Sequence, residues 1–169
     1  MIHPRIIGLI VGGVALLTAF LVILDTREAD TAPDAPDIEL IYFDGSVGHV
    51  ADFRGTPVVL NFWASWCPAC VAELPDFQEV HESLGDRVVF VGLNMQEIDR
   101  RSAEALIEQT GVTYLLADDP DGAIYRSLGG IAMPTTVILD AGGAVARVHA
   151  GVLFGDDLRA LVEEVLATS

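Results

Sequence analysis

Two cysteines, Cys67 and Cys70, are the only thiols in this 169-residue chain, and two residues separate them. They lie in Trp66-Cys67-Pro68-Ala69-Cys70, directly after a hydrophobic run and at the start of a helical pattern. With Cys67 as helix cap, Pro68 falls at the first helical position. Its missing N–H costs nothing there, and its fixed φ already suits the helix. Cys70 is then one turn on and on the same side, a spacing that can bring the two Cα atoms to roughly 5.5 Å, suitable for a bridge. Unpaired amides and the positive end of the helix dipole favour a thiolate at Cys67. Cys67 is therefore the attacking sulfur and Cys70 the resolving one. Thiolate attack on a disulfide gives a mixed disulfide, which the second sulfur cleaves. So small a closed loop adds little stability, so the value of the bridge is redox switching. The alternatives are inert buried thiols or half a metal site. A metal would need two further ligands, and His3, His49, His81 and His149 are scattered through the chain.

The elements that must position this pair are read from periodicity. Ile38–Phe43 and Val47–Val50 flank Asp44-Gly45 and predict a hairpin. Val58–Phe62 and Val88–Leu93 are continuous apolar runs, as expected of strands covered on both faces. Cys67–Leu84 reads as a helix with Cys70, Leu74, Phe77, His81 and Leu84 on one face, and Pro75 is expected to kink it. Arg100–Gln109 reads as a helix ended by Gly111, Tyr114–Ala117 as a short strand and Asp121–Leu128 as a short helix. Thr135–Leu139 and Ala144–His149 are strands around Ala141-Gly142-Gly143, and Asp156–Leu166 is an amphipathic closing helix. This order implies an α/β fold: a mixed sheet with helices on both faces.

Composition bounds the rest. Half the chain is hydrophobic (51%) and the formal net charge is −16, so a packed core is expected and a basic nucleic-acid footprint is excluded. All nine basic residues are arginine. Ile6–Leu24 is 19 residues without a charge, nearly enough helix to cross a hydrocarbon core of roughly 30 Å. A cleaved signal peptide would have a shorter apolar region and a small-residue cleavage site. The expectation is therefore a retained transmembrane anchor, residues 6–24, behind a cytoplasmic N-terminus, 1–5. The acidic, proline-bearing segment 25–37 reads as an extracytoplasmic tether, and 38–169 as the folded domain. From residue 31 onward 22 acids face 7 arginines, so the domain should be repelled by anionic lipid and the helix alone should hold it at the membrane.

The run Asn61-Phe62-Trp63-Ala64-Ser65-Trp66-Cys67-Pro68-Ala69-Cys70 resembles the thioredoxin superfamily. The assembly resembles its membrane-anchored extracytoplasmic branch, the TlpA/ResA-like thiol-disulfide oxidoreductases. Glu73 and Pro75 follow the second cysteine at that branch's spacing, and Met133-Pro134-Thr135-Thr136 matches the superfamily's cis-proline before a strand. The N-terminal hairpin and the stretch 96–118 match the branch's additions to a minimal thioredoxin. The resemblance spans about residues 38–168. It implies a thioredoxin-like mixed sheet flanked by helices, with Pro134 in cis beside the sulfurs. It also implies Met133 backbone groups offered to an extended substrate, with Trp66, Pro68 and Thr135 in the same substrate-facing region. Cytoplasmic thioredoxins carry a buried Asp where this chain has Asn61, six residues before Cys67. Asn cannot titrate, and the branch gives the proton-accepting role toward the second cysteine to the Glu matching Glu73. That Glu shares a helix flank with Cys70, and partial burial would raise its pKa.

Trp63 reads as packing and His81 as a core or boundary residue. Asp118-Asp119-Pro120-Asp121 lacks a full calcium-loop spacing and reads as a turn plus helix cap. The resemblance further implies an integral-membrane thiol reductant as electron donor and protein disulfide substrates, oxidised apocytochrome c among them. Neither a cofactor nor a metal is required. The rival readings are an exported disulfide oxidase or isomerase, and a metal chaperone or tethered binding module.

Overall fold

The computed structural model describes residues 37–168. The apolar run 6–24 and all but the last residue of the tether lie outside the described residues. Among those that are described, no helix is long and apolar enough to cross a membrane. Seven strands form one sheet: β1 (Glu39–Tyr42), β2 (Val47–His49), β3 (Val58–Trp63), β4 (Val89–Met95), β5 (Leu115–Asp119), β6 (Thr135–Leu139) and β7 (Val145–Ala150). The helices are α1 (Pro68–Leu84), α2 (Arg100–Thr110), α3 (Ala123–Ser127) and α4 (Gly155–Leu166). The spatial order is β2-β1-β5-β4-β3-β6-β7. β3, β4 and β5 run parallel at the centre, while β1 and β6 join them antiparallel.

Every residue of β3 is buried, because successive side chains enter two separate cores. Val59 and Trp63 pack with Phe90, Ile138 and the apolar faces of α1, α2 and α4. Val58, Leu60 and Phe62 pack on the other side with Val91, Leu93, Val137, a 3-10 turn at Val50 and residues of α3. Helices therefore cover both faces, as the β-α-β order predicts. The hairpin forms at Asp44-Gly45, where Gly45 has φ +84° and the Ser46 amide and hydroxyl both donate to Asp44 Oδ1 at 2.9 and 2.6 Å.

Most element ends lie within one or two residues of expectation, and the informative differences are around β5 and α3. β5 begins one residue later, with Tyr114 buried just before it, and it continues through two aspartates. Asp118 tolerates a strand position because Arg100 Nη1 donates to both its oxygens at 2.7 Å. Asp119 is buried but accepts from the amides of Ile124 and Tyr125 at 3.1 and 2.8 Å. It thereby caps α3, which is shorter than the predicted helix. α1 runs unbroken through Pro75.

Candidate active site

Strand register carries the relevant residues to one end of the sheet. Phe62 pairs with Thr135, Trp63 with Asn94 and Thr136 with His149. The chain leaving β3 toward Cys67, the loop leaving β4, the Met133-Pro134 entry to β6 and the exit from β7 therefore lie at the same end. That is the end where the parallel strands finish, the usual place for a site in such sheets.

Cys67 caps α1 in extended conformation (φ −97°, ψ 104°), with Pro68 at the first helical turn. Its Sγ accepts from the Cys70 amide at 3.2 Å. The two cysteines are bridged, with Cα atoms 5.3 Å apart. Cys67 is 5% exposed and Cys70 fully buried, so of the two only the first residue retains any exposure. Glu73, one turn beyond Cys70, is also fully buried. Its Oε1 accepts from Asn61 Nδ2 at 2.8 Å and its Oε2 from the Leu153 amide at 2.9 Å. Burial pushes its carboxyl up to about 7, against the two donors, which pull the other way. Burial here is complete where the sequence suggested only partial.

Trp66 is 46% exposed and Trp63 fully buried, as their sequence positions suggest. Pro68 is exposed. The Met133-Pro134 bond is cis, and the Pro134 carbonyl accepts from the Gly151 amide at 2.8 Å. Met133 is half-buried and packs against both cores. Thr135 is fully buried and its hydroxyl donates back to the Ala132 carbonyl, so the side chain fastens the loop. His81 sits at the core boundary, edge-on to Phe90 and Tyr114 with centroids 5.5 and 5.7 Å away.

Glu97 was not legible as part of this site. Its carboxylate accepts from the Ser65 amide and hydroxyl at 2.9 and 2.8 Å. It accepts further from Asn94 Nδ2 and the Ile98 amide, both at 3.1 Å. Beside it, Trp66 Nε1 donates to the Gln96 carbonyl at 2.9 Å, and Gln96 holds the left-handed φ of +48°. The loop after β4 thus clasps the two residues immediately before Cys67. The available signal was a polar Asn94-x-x-Glu97 segment at the end of a central parallel strand.

A thioredoxin-like sheet that delivers a bridged Cys-x-x-Cys pair to a helix N-terminus defines a thiol-disulfide oxidoreductase. The Redoxin family model matches residues 28–162, and the chain belongs to that family. It is 36% identical over 152 residues to the thiol:disulfide interchange protein DsbE of Xylella fastidiosa, covering 83% of this chain and 76% of that protein. It is 27% identical over 134 residues to the thiol-disulfide oxidoreductase ResA of Geobacillus thermodenitrificans, covering 78% and 75%. Among solved structures, a DsbF homologue from Corynebacterium diphtheriae superimposes with TM-score 0.73 at 32% identity, covering 82% of this chain and 89% of that one. The protein is accordingly a thiol-disulfide oxidoreductase of the DsbE/ResA type.

Proposed function

We propose that the protein is a membrane-tethered reductase of exported protein disulfides, held on the extracytoplasmic face by residues 6–24. The observation that carries the reading is the pairing of a slightly exposed Cys67 with a fully buried Cys70, one turn from a buried carboxyl, Glu73. In the reduced protein the Cys67 thiolate attacks a substrate disulfide. The substrate S–S bond breaks, a Cys67–substrate bond forms, and the departing sulfur leaves as a thiolate that takes a proton from water. Glu73 then accepts the Cys70 proton. The Cys70 thiolate attacks Cys67 Sγ, and the second substrate sulfur departs. Two electrons have passed to the substrate and the protein is left bridged.

A carboxyl that titrates near 7 suits this task. It is basic enough to take the proton and acidic enough to give it up. Trp66, with Pro68, Met133 and Pro134, forms the surface that meets the substrate chain, and Thr135 holds that loop. Return to the dithiol form requires an external two-electron thiol donor, and an integral-membrane thiol reductant fits a tethered domain. The favoured substrate is oxidised apocytochrome c, whose paired cysteines must be free before haem attachment. The test is Cys70→Ser in cells, which leaves substrates joined to Cys67. Recovery of apocytochrome c, bound only when the membrane reductant is active, supports the reading. Capture of newly exported proteins irrespective of that reductant assigns the opposite direction of electron flow.

A further inference from the structure

We propose that His149 is a positioning residue for Glu73, acting through the one peptide group that joins Val152 to Leu153. His149 Nε2 lies 3.2 Å from the Val152 carbonyl oxygen. A carbonyl only accepts, so Nε2 carries the hydrogen and Nδ1 is the nitrogen left to titrate. The N–H of the same peptide group, that of Leu153, donates to Glu73 Oε2 at 2.9 Å. The imidazole therefore donates into one end of an amide whose other end donates into the buried carboxyl. A hydrogen bond accepted at a peptide oxygen polarises the group and strengthens its N–H as a donor.

Sheet register builds the arrangement. Asn61 pairs with Thr136 and Thr136 with His149, and side chains of directly paired residues lie on one face. Asn61 on that row donates to the other oxygen of Glu73. His149 stands at the edge of the row, where it is only half-buried. Protonation at Nδ1 places a full charge on the ring and makes Nε2–H a stronger donor. The ionised form of Glu73 is then favoured. By linkage, ionised Glu73 favours protonated His149 by the same factor.

The other charged groups facing this region are engaged elsewhere or open to water. Arg147, on the same side of β7, is paired with Glu164 of α4. Asp76 of α1 accepts from the Gly155 amide at 2.9 Å. Asp156 and Asp157 are exposed on the first turn of α4. Tyr114 is buried among the α1-side core, its phenol pushed further up by burial and by Glu73. None of these side chains bonds to the Val152–Leu153 peptide group.

The catalytic meaning rests on Glu73 being the proton carrier, but the coupling itself is read without substrate. In the full-length, bridged protein, carboxyl-carbon NMR follows Glu73 and imidazole NMR follows His149. His149→Phe is expected to raise the proton affinity of Glu73 roughly threefold or more. His149→Gln, whose amide N–H can still donate, is expected to recover most of that change but to leave a single titration step. Glu73→Gln is expected to lower the proton affinity of His149. An unmoved Glu73 midpoint in His149→Phe, or a Gln variant that behaves like Phe, overturns the proposal. Should His149→Phe fail to fold, the His149 midpoint in Glu73→Gln decides, and no shift there overturns it. If instead the coupling is present while Glu73→Gln leaves the pH–rate profile of disulfide exchange unchanged, the proton-carrier reading fails and the positioning role stands.

Discussion

Two glutamates flank the nucleophile loop, and the protein treats them in opposite ways. Glu73 is fully buried, has two donors, and is pushed up to about 7 by desolvation. Glu97 is half-buried and has four donors, which together outweigh its desolvation and hold its carboxyl below the ordinary range. The difference separates two tasks. The proton exchange proposed for Glu73 suits a place where neither form is strongly preferred at neutral pH. A carboxyl that must hold a loop is surrounded by N–H and O–H groups until only the anion fits.

The largest effect expected from breaking that contrast is on rate. On the proposed mechanism Glu73→Gln removes the proton acceptor for Cys70, while keeping an oxygen for one of its two donors. The resolving step should slow by roughly 10²-fold, the lower end of general-base contributions. Rapid-quench trapping should show the mixed disulfide with Cys67 accumulating. A resolving rate within a few-fold of wild type would remove Glu73 from the mechanism.

The same shift has a consequence for stability. A carboxyl whose ordinary value is 4.5 titrates near 7 in the folded protein, so between those values the folded state binds a proton that the unfolded state does not. The stability from this group is fully present below about 4.5 and is lost as pH rises through about 7. The change is on the order of 3 kcal/mol. Urea titrations of the bridged protein should show this decline between acid and neutral pH, and Glu73→Gln should flatten it.

Asn61 sharpens the comparison from the other side. Asn61→Leu deletes the donor to Glu73 Oε1, leaving only Leu153. The Glu73 midpoint should rise further, by about one unit. The acid limb of the pH–rate profile, where the base must be deprotonated, should move up with it, and the two are read by carboxyl NMR and by exchange kinetics. A midpoint that stays in place would mean that burial alone sets the value.

Much of the Glu73 side was legible in the sequence, and almost none of the Glu97 side. The Cys67 cap and Pro68 at the first turn depend on spacing along one helix, which periodicity reports directly, whereas Glu73 is singled out by the family resemblance and its full burial exceeds the partial burial expected. The all-apolar β3 run and Gly111, left-handed at φ +70° where α2 ends, are local signals of the same kind. Asn61 stands out in the sequence as a residue that cannot titrate, yet its bond to Glu73 crosses from strand to helix. The Glu97 clasp joins residues 32 positions apart in sequence, and it exists only because β3 and β4 are parallel neighbours that end together. The Leu153 donor to Glu73 lies 80 positions away. The early end of the predicted fifth strand has a similar cause. Asp118 and Asp119 look like loop residues until Arg100 and the α3 amides are brought to them.

The smallest effect is expected at Glu97. In Glu97→Gln one carboxylate oxygen becomes an NH2 group, and whichever oxygen is replaced had been accepting from two donors. N–H then faces N–H or O–H on one side of the clasp, while the other side keeps its acceptor. The cost to stability should be about 1 kcal/mol, since the site is partly solvated. Ionised Glu97 adds stability above the unfolded carboxylate range, and this is lost as pH falls through its lowered value. The wild-type contribution should therefore fade only in acid, opposite in sign to that of Glu73. Functionally, the loop that takes the Trp66 N–H should loosen. The indole fluorescence should broaden, and KM for a disulfide substrate should rise a few-fold with kcat held. A fall in kcat with KM unchanged would instead put Glu97 in the proton chemistry and erase the division of labour between the two carboxylates.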